Sequence, residues 1–343
     1  MRTIDWIDGA IELIDQTRLP DELVILRIST LEDLIGAISR LAVRGAPALG
    51  VAGAMGVALV AAAHPADTAV VEQAAQSLRD ARPTAVNLAW GVDRALGRLV
   101  DGAAAVLAEA ERIRDEDIAA CASMAGRGAN LVQALVGARP VRVMTICNTG
   151  ALAAVELGTA LGVVSELRAR GLLEEVLPLE TRPLLQGARL TAWELQQMGA
   201  PFRLLVDSAA ASVLARGLAD IVLTGADRIA RNGDTANKVG SFSLAVAASH
   251  AGVPFVVVAP ESTVDLATST GKEIPIEERS ADEVTMVRGV RTAPAGTRTL
   301  NPAFDVTPAT LITAIITDRR VIRLDHGETP ASVPLEPAAA SSR

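Results

Sequence analysis

Residues 219–242 read ADIVLTGADRIARNGDTANKVGSF: a mostly apolar run from Ala219 to Leu223, then Asp227, Arg228, Arg231, Asp234 and Lys238 in quick succession. A short aliphatic run closed by glycine reads as a buried strand, and the charge behind it marks the place where that strand ends. Similar runs recur through the second half of the chain as VRVMTIC, EEVLPLE, FRLLVD and PFVVVAP, separated by helix-compatible segments. Strands that alternate with helices imply an α/β fold with a parallel sheet covered on both faces. Ligands of such sheets bind outside the carboxyl ends of the strands, so the residue after each run is a candidate: Cys147, Glu180, Asp207, Asp227 and Pro260.

The first half reads differently. MRTIDWIDGAIELIDQ alternates apolar and polar residues about Asp8-Gly9, the pattern of a hairpin rather than of a signal peptide. From residue 31 to 136 the period is helical, and Ala48–Ala63 is an apolar stretch behind Pro47 that reads as a buried helix, too short to span a bilayer. The expected organisation is a mainly helical N-terminal domain with a β-hairpin start over 1–136, an α/β domain over 137–324, and a flexible tail over 325–343. A Pro-initiated helix and a last short strand are expected within AFDVTPATLITAIITDRRVIR. Of 343 residues, 32 are basic and 40 acidic, with the basic ones scattered, which argues against a nucleic-acid groove and for a small ligand. Cys121 and Cys147 form no CxxC and the three histidines are far apart in sequence, so neither a disulfide framework nor a metal site is expected. The composition fits a protein of the reducing cytoplasm, with no membrane span.

Each candidate has a plain alternative. Cys147, in TICNTGALA, stands at a strand end where backbone N–H groups favour a reactive thiol, though a free cysteine is also a good buried residue. Asp227 follows Gly225 and Ala226, and a shielded carboxylate there suits acid–base work; a helix cap or an ion pair accounts for it equally well. Asn237 and Lys238 are expected at the start of the next helix, where they and the helix end would hold a phosphate; a solvated lysine is the alternative. RGAPALG, with Arg44, Gly45 and Ala46, is a phosphate cradle or an ordinary loop before a helix, and Arg82 in RPTAVNLAW has the same ambiguity. Glu180, Arg182 and Gln186 follow a strand in ETRPLLQGARLTAWEL, where capping and ion pairing explain the first two without a ligand. Arg228, Arg231 and Asp234 read by default as loop scaffolding. At the first strand–helix turn, CNTGALAAVELG lacks the glycine spacing of a dinucleotide fold.

Taken together, RGAPALG, RPTAVNLAW, TICNTGALA, ETRPLLQGARLTAWEL, GADRIARNGDTANKVGSF, APESTVD, IPIEER and NPAFDVTPATLIT resemble the methylthioribose-1-phosphate isomerase family, in order over about residues 5–324. That family is similar in fold to regulatory subunits of a eukaryotic translation-initiation exchange factor and to ribose-1,5-bisphosphate isomerase. The resemblance implies a Rossmann-like C-terminal domain, with the small N-terminal domain closing over its crevice. It implies Cys147 and Asp227 as catalytic residues, and Arg44, Gly45, Ala46, Arg82, Gln186, Asn237 and Lys238 as contacts of a sugar phosphate. It also implies a homodimer with no metal and no organic cofactor. After CNTGALA the chain departs from the family pattern with AVELGTALG, and near its end with TDRRVI, which leaves 5-deoxyribose 1-phosphate open as a substrate; the shared fold leaves ribose-1,5-bisphosphate isomerase and a regulatory protein as rivals, the latter opposed by the retention of Cys147 and Asp227.

Overall fold

The computed structural model describes residues 2–82 and 85–336. Strands β1 (Ile4–Ile7), β2 (Ala10–Ile14) and β3 (Ile25–Ile28) form an antiparallel meander. Its first turn is the expected Asp8-Gly9 pair, both at positive φ (45° and 79°), the geometry that matches the twist of a two-residue hairpin. Helices α1 (Leu31–Ser39), α2 (Ala46–Ala63), α3 (Thr68–Ala81), α4 (Val86–Leu96) and the 34-residue α5 (Ala103–Val136) follow. Thr30 and Asp67 cap α1 and α3 by accepting the Asp33 and Val70 amides, as short polar side chains do at helix starts.

Helix α2 is apolar on every side, and each residue from Ala48 to Ala61 is buried. By length and composition it could cross a membrane, but 78% of that span is buried within the protein. What permits such burial is the absence of side chains where α2 meets α4. A Cβ on Gly91 would lie 2.0 Å from the Gly50 carbonyl oxygen, so the two helices touch backbone to backbone.

The described chain divides into two compact units, one running up to Ala122 and including Thr149–Leu161, the other taking Ser123–Asn148 and the residues from Gly162 on. The sequence places a boundary at 136–137; the division falls inside α5 instead, which continues unbroken past it.

After α5, β4 (Val141–Thr145), α6 (Ala160–Ala169), β5 (Leu173–Pro178), α7 (Ala192–Met198), α8 (Ala210–Ala215), β6 (Ile221–Thr224), the short β7 (Arg228–Ala230) and β8 (Thr235–Lys238), α9 (Ser241–Ala251) and β9 (Phe255–Val258) follow in order, all in the second unit but for the first two residues of α6. Beyond them come β10 (Val264–Asp265), α10 (Ala281–Thr285), a ribbon of β11 (Met286–Val287) and β12 (Val290–Arg291), then β13 (Phe304–Thr307), β14 (Ala314–Ile316) and β15 (Val321–Ile322). The main sheet has the order β15-β14-β9-β6-β4-β5, parallel except for the edge strand β15. Every residue of β6 and β9 is buried, as strands covered on both faces must be. A second sheet, β10-β7-β8-β13, is mixed.

Three segments differ from the sequence reading. FRLLVD makes only isolated parallel bridges to the β5 region, at Phe202 and Leu205; these two are half-buried, while Leu204 and Val206 are exposed, so the segment lies at the edge of the sheet and not inside it. The helix expected after Pro308 is a short 3-10 turn, Ala309–Leu311; the Ile-rich run behind it pairs with β9 as β14, and sheet pairing overrides local preference. Residues up to 336 in the expected tail are tied down: Arg320 donates to the Pro330 carbonyl at 2.8 Å, Arg319 to the Glu336 carbonyl at 2.7 Å and Arg127 to the Glu336 carboxylate at 2.6 Å. The rest of that tail, 337–343, lies outside the described residues.

At the amino end of the sheet, Asp220 joins β6 to β4. Its carboxylate accepts the Arg142 amide (2.8 Å), Arg142 Nε (3.0 Å) and Nη2 (2.9 Å), and Arg139 Nη2 (2.8 Å). Burial pushes its pKa up, but the Arg142 and Arg139 hydrogen bonds outweigh it and hold the carboxyl well below the usual carboxylate range. The folded value is therefore the lower one. The stabilisation is complete above the unfolded carboxylate pKa and is lost as pH falls below it. Asp220→Asn should cost about 2 kcal/mol at neutral pH, with the difference shrinking below about pH 4, as measured by urea unfolding across that range.

Candidate active site

The first strand of the main sheet, β4, lies inside it, with β5 on one side and β6, β9 and β14 on the other. Strand order therefore reverses between β4 and β6, and loops leaving their carboxyl ends diverge to leave a crevice, the usual ligand position in open parallel sheets. Cys147 follows β4 and Asp227 follows β6.

Cys147 is buried, and its backbone lies at φ 65°, a region that L-residues with a Cβ avoid. The segment after β5 holds it there. Thr181 Oγ1 accepts the Cys147 amide at 2.8 Å, and Thr191 Oγ1 donates to the Cys147 carbonyl at 2.6 Å. The next residue, Asn148, donates to Glu194 Oε1 at 2.7 Å. Gln186 lies in the same segment, just ahead of a π-helical turn, Gly187–Thr191. Such turns shift the register of the side chains that follow them. Gly187 is needed there, since a Cβ would lie 1.6 Å from the Leu179 carbonyl oxygen. The Gln186 side chain is buried and its Oε1 has no hydrogen-bond partner among the described residues, which leaves an acceptor for a hydroxyl.

Beyond β6 the chain does not run from loop to helix, as its sequence suggests. It forms the β7–β8 hairpin, and Asn237 and Lys238 are the buried last residues of β8, ahead of α9 rather than at its start. Pairing with β13, in the register Asn237 to Asp305 and Lys238 to Phe304, holds them extended. Asn237 Nδ2 donates to Thr224 Oγ1 and to Ser241 Oγ, both at 2.8 Å, so only its carbonyl oxygen remains for a ligand. The first bond fastens the hairpin to the carboxyl end of β6. Lys238 Nζ donates to the Ala303 carbonyl at 2.7 Å and lies 4.6 Å from the centre of the Phe304 ring. Asp305 accepts the Gly240 and Phe242 amides at the amino end of α9, at 2.7 and 3.1 Å. Burial pushes its pKa up, and the two amides and the Lys238 charge oppose that only in part.

The remaining charge of the opening stretch is scaffolding. Asp234 accepts the Gly271 and Ala309 amides, both at 2.9 Å. Burial raises its pKa, but its hydrogen bonds, that of Asn232 foremost, prevail and lower it. Arg231 Nε donates to the Leu266 carbonyl at 2.6 Å, and Arg228 lies 3.8 Å from Asp265. Asp207, a strand-end candidate in the sequence, has a similar part: its two oxygens accept the Thr181 and Arg182 amides, both at 2.7 Å. Arg182 itself donates to the carbonyls of Pro183 and Val284.

Cys147, Gln186 and Asp227 thus follow the carboxyl ends of the adjacent strands β4, β5 and β6, and Asn237, with Lys238 beside it, is fastened to the end of β6. Arg44, Gly45, Ala46 and Arg82 belong to the other unit. There Gly45, at φ 93°, precedes the first residue of α2, Ala46, and no side chain caps that helix end. A Cβ on Gly45 would lie 2.4 Å from the Ala153 carbonyl oxygen. Arg44 Nε donates to Gln16 Oε1 at 3.1 Å. Arg82 follows α3, and Pro83 and Thr84 of its motif lie outside the described residues. Thr181 and Thr191 escape a strand-end reading because they act on the backbone of a residue distant in sequence; only Thr191, between Leu190 and Ala192, gives a local signal, a polar residue set among apolar ones. Among the described residues no three His, Cys, Asp or Glu side chains converge in a metal-ligand group.

Residues 42–323 match the family model described as the initiation factor 2 subunit family. The chain belongs to that family. Among its relatives, a methylthioribose-1-phosphate isomerase of Anaeromyxobacter sp. (strain K) is 54% identical, over 92% of this chain and 91% of its own length. A probable bifunctional methylthioribose-1-phosphate isomerase/methylthioribulose-1-phosphate dehydratase of Nocardia farcinica is 52% identical over 100% of this chain, which spans 63% of that longer protein. A 5-deoxyribose 1-phosphate isomerase of Moorella thermoacetica is 48% identical over 96% of each chain. The crystal structure of 5-methylthioribose 1-phosphate isomerase from Pyrococcus horikoshii OT3 superposes with a TM-score of 0.87 at 41% identity, covering 94% of this chain and 92% of that one. Against this family, the mixed architecture of short N-terminal strands, helices and a parallel-rich sheet is the expected one.

Proposed function

We propose that this family member is an aldose–ketose isomerase that converts 5-methylthio-α-D-ribose 1-phosphate into 5-methylthio-D-ribulose 1-phosphate, in methionine salvage from methylthioadenosine. The observation that carries the reading is the pair of proton-exchanging side chains, Cys147 and Asp227, on the two strands that flank the sheet's switch point. The names of full-length relatives supply the substrate.

Phosphate on the anomeric oxygen prevents the free ring opening of ordinary aldoses. An acid must protonate the ring oxygen before or as hydrogen moves from C2 to C1. Asp227 is that acid and later accepts a proton, and Cys147 exchanges the second proton or stabilises charge at C1 and C2; a hydride shift would use the same pair in less basic roles. Gln186, with its unpaired buried acceptor, takes a sugar hydroxyl, and Asn237 and Lys238 hold hydroxyl and phosphate oxygens. Arg44, Gly45, Ala46 and Arg82 are further phosphate contacts, supported by a guanidinium beside an uncapped helix end. The Moorella relative supports a second reading, 5-deoxyribose 1-phosphate, which differs only at C5. The protein acts as a homodimer in the cytoplasm, a reading supported by free cysteines and by Phe242 and Val246, exposed one turn apart on α9. Light scattering should give twice the chain mass; the mass of one chain would remove the dimer.

Initial rates on the methylthio, deoxy and bisphosphorylated ribose substrates test the assignment, with the methylthio compound expected to be fastest and no turnover of any of them pointing to a regulatory protein. Asp227→Asn and Cys147→Ser should each lower kcat by about 100-fold or more with the fold intact, and near wild-type turnover would take that residue out of the mechanism. Lys238→Ala should mainly raise KM. A large loss of kcat at unchanged KM would contradict phosphate anchoring.

A further inference from the structure

Both peptide groups of Cys147 are held by hydroxyls from one segment. On the amide side, the Thr181 hydroxyl gives its hydrogen to the Leu179 carbonyl at 2.9 Å and so meets the Cys147 N–H with a lone pair, at 2.8 Å. On the carbonyl side, the Thr191 hydroxyl gives its hydrogen to Cys147 O at 2.6 Å and faces Asn148 Nδ2 at 3.3 Å. Neither threonine is accessible to solvent. Thr181 is itself at φ 66°, and Asp207 braces it through the Thr181 and Arg182 amides. Left to itself, a cysteine relaxes from φ 65° to a negative value, which re-aims its Cα–Cβ bond. A β-branched residue is costly at the positive φ of Thr181, so its place there points to the hydroxyl rather than to backbone preference.

We infer that Thr181 and Thr191 are positioning residues for the isomerase reaction: they clamp the Cys147 backbone in the left-handed region and thereby aim its thiol, with Asp207 bracing Thr181. The inference rests on the reading of Cys147 as a proton-transfer group. Neither threonine touches the substrate, so binding should survive their loss while the chemical step suffers.

Thr181→Val and Thr191→Val remove the hydroxyls at nearly constant volume, and Thr181→Ser and Thr191→Ser keep them. The Val variants should lose about 30-fold in kcat, with KM changed by less than about 2-fold, because a reacting group displaced by about an ångström costs up to about 100-fold. The Ser variants should recover most of the loss. Wild-type kcat in a folded Val variant, or equal losses in Val and Ser variants, would overturn the clamp. Should a Val variant not fold, Thr181→Ala and Asp207→Asn carry the same comparison, with a fall in kcat at steady KM expected and wild-type kcat overturning it. A second readout needs no turnover: the rate of Cys147 alkylation by iodoacetamide from about pH 6 to pH 10, followed by peptide mass. The Val variants should change the profile and the Ser variants should restore it; an unchanged profile overturns the clamp. If Cys147→Ser keeps full turnover, the reading of Cys147 fails, and the alkylation profile alone still decides whether the hydroxyls aim the thiol.

Discussion

The candidate site depends on one pairing, β4 against β6, in the register Val143 to Ile221 and Met144 to Val222. Because β5 lies on the other side of β4, the connections leave the two strands in opposite directions, and the polypeptide cannot fill the space above them. The pairing is made of buried aliphatic residues and is fixed at its amino end by the carboxylate of Asp220. The ion-pair anchor thus lies at one end of the strands and the candidate site at the other. A charged residue that would be costly within the sheet is acceptable where the ladder stops.

Much of this was legible in the sequence, for identifiable reasons. The runs VRVMTIC and ADIVLTG are short, continuous and bounded, as strands buried on both faces must be, and the strand-end rule leads directly from them to Cys147 and Asp227. The Asp8-Gly9 turn and the all-apolar α2 are equally plain, since each has one physical solution. The hairpin β7–β8 was hidden because Arg228–Ala230 and Thr235–Lys238 are too short and too polar to show a period of two, and their partner β13 lies more than sixty residues downstream. The strand β14 was hidden because an Ile- and Ala-rich run suits helix and strand alike until β9 lies beside it. Asp207 was recognised as a strand-end carboxylate, but only the structure shows it spent on two backbone amides.

The two units satisfy different constraints. In the first, close helix packing is obtained by deleting side chains at Gly50 and Gly91, and RGAPALG owes its second residue to the nearness of Ala153. In the second, backbone strain is admitted at Cys147 and Thr181 and is held by hydrogen bonds from buried hydroxyl and carboxylate groups. At the candidate site both devices occur together, positive φ at Cys147 and Thr181 and close approach at Gly187.

The carboxylate of Asp305 has a wider consequence. In many α/β proteins the helix after a strand turns free amides and a fractional positive charge towards an anion. Here two amides at the amino end of α9 are already taken by a side chain from β13. Those two N–H groups are therefore not open to a ligand, and the charge set beside Asp305 is the buried ammonium of Lys238. That ammonium is a compact charge held between a backbone carbonyl and a ring face, so a planar guanidinium would not be its equivalent even though the charge is the same.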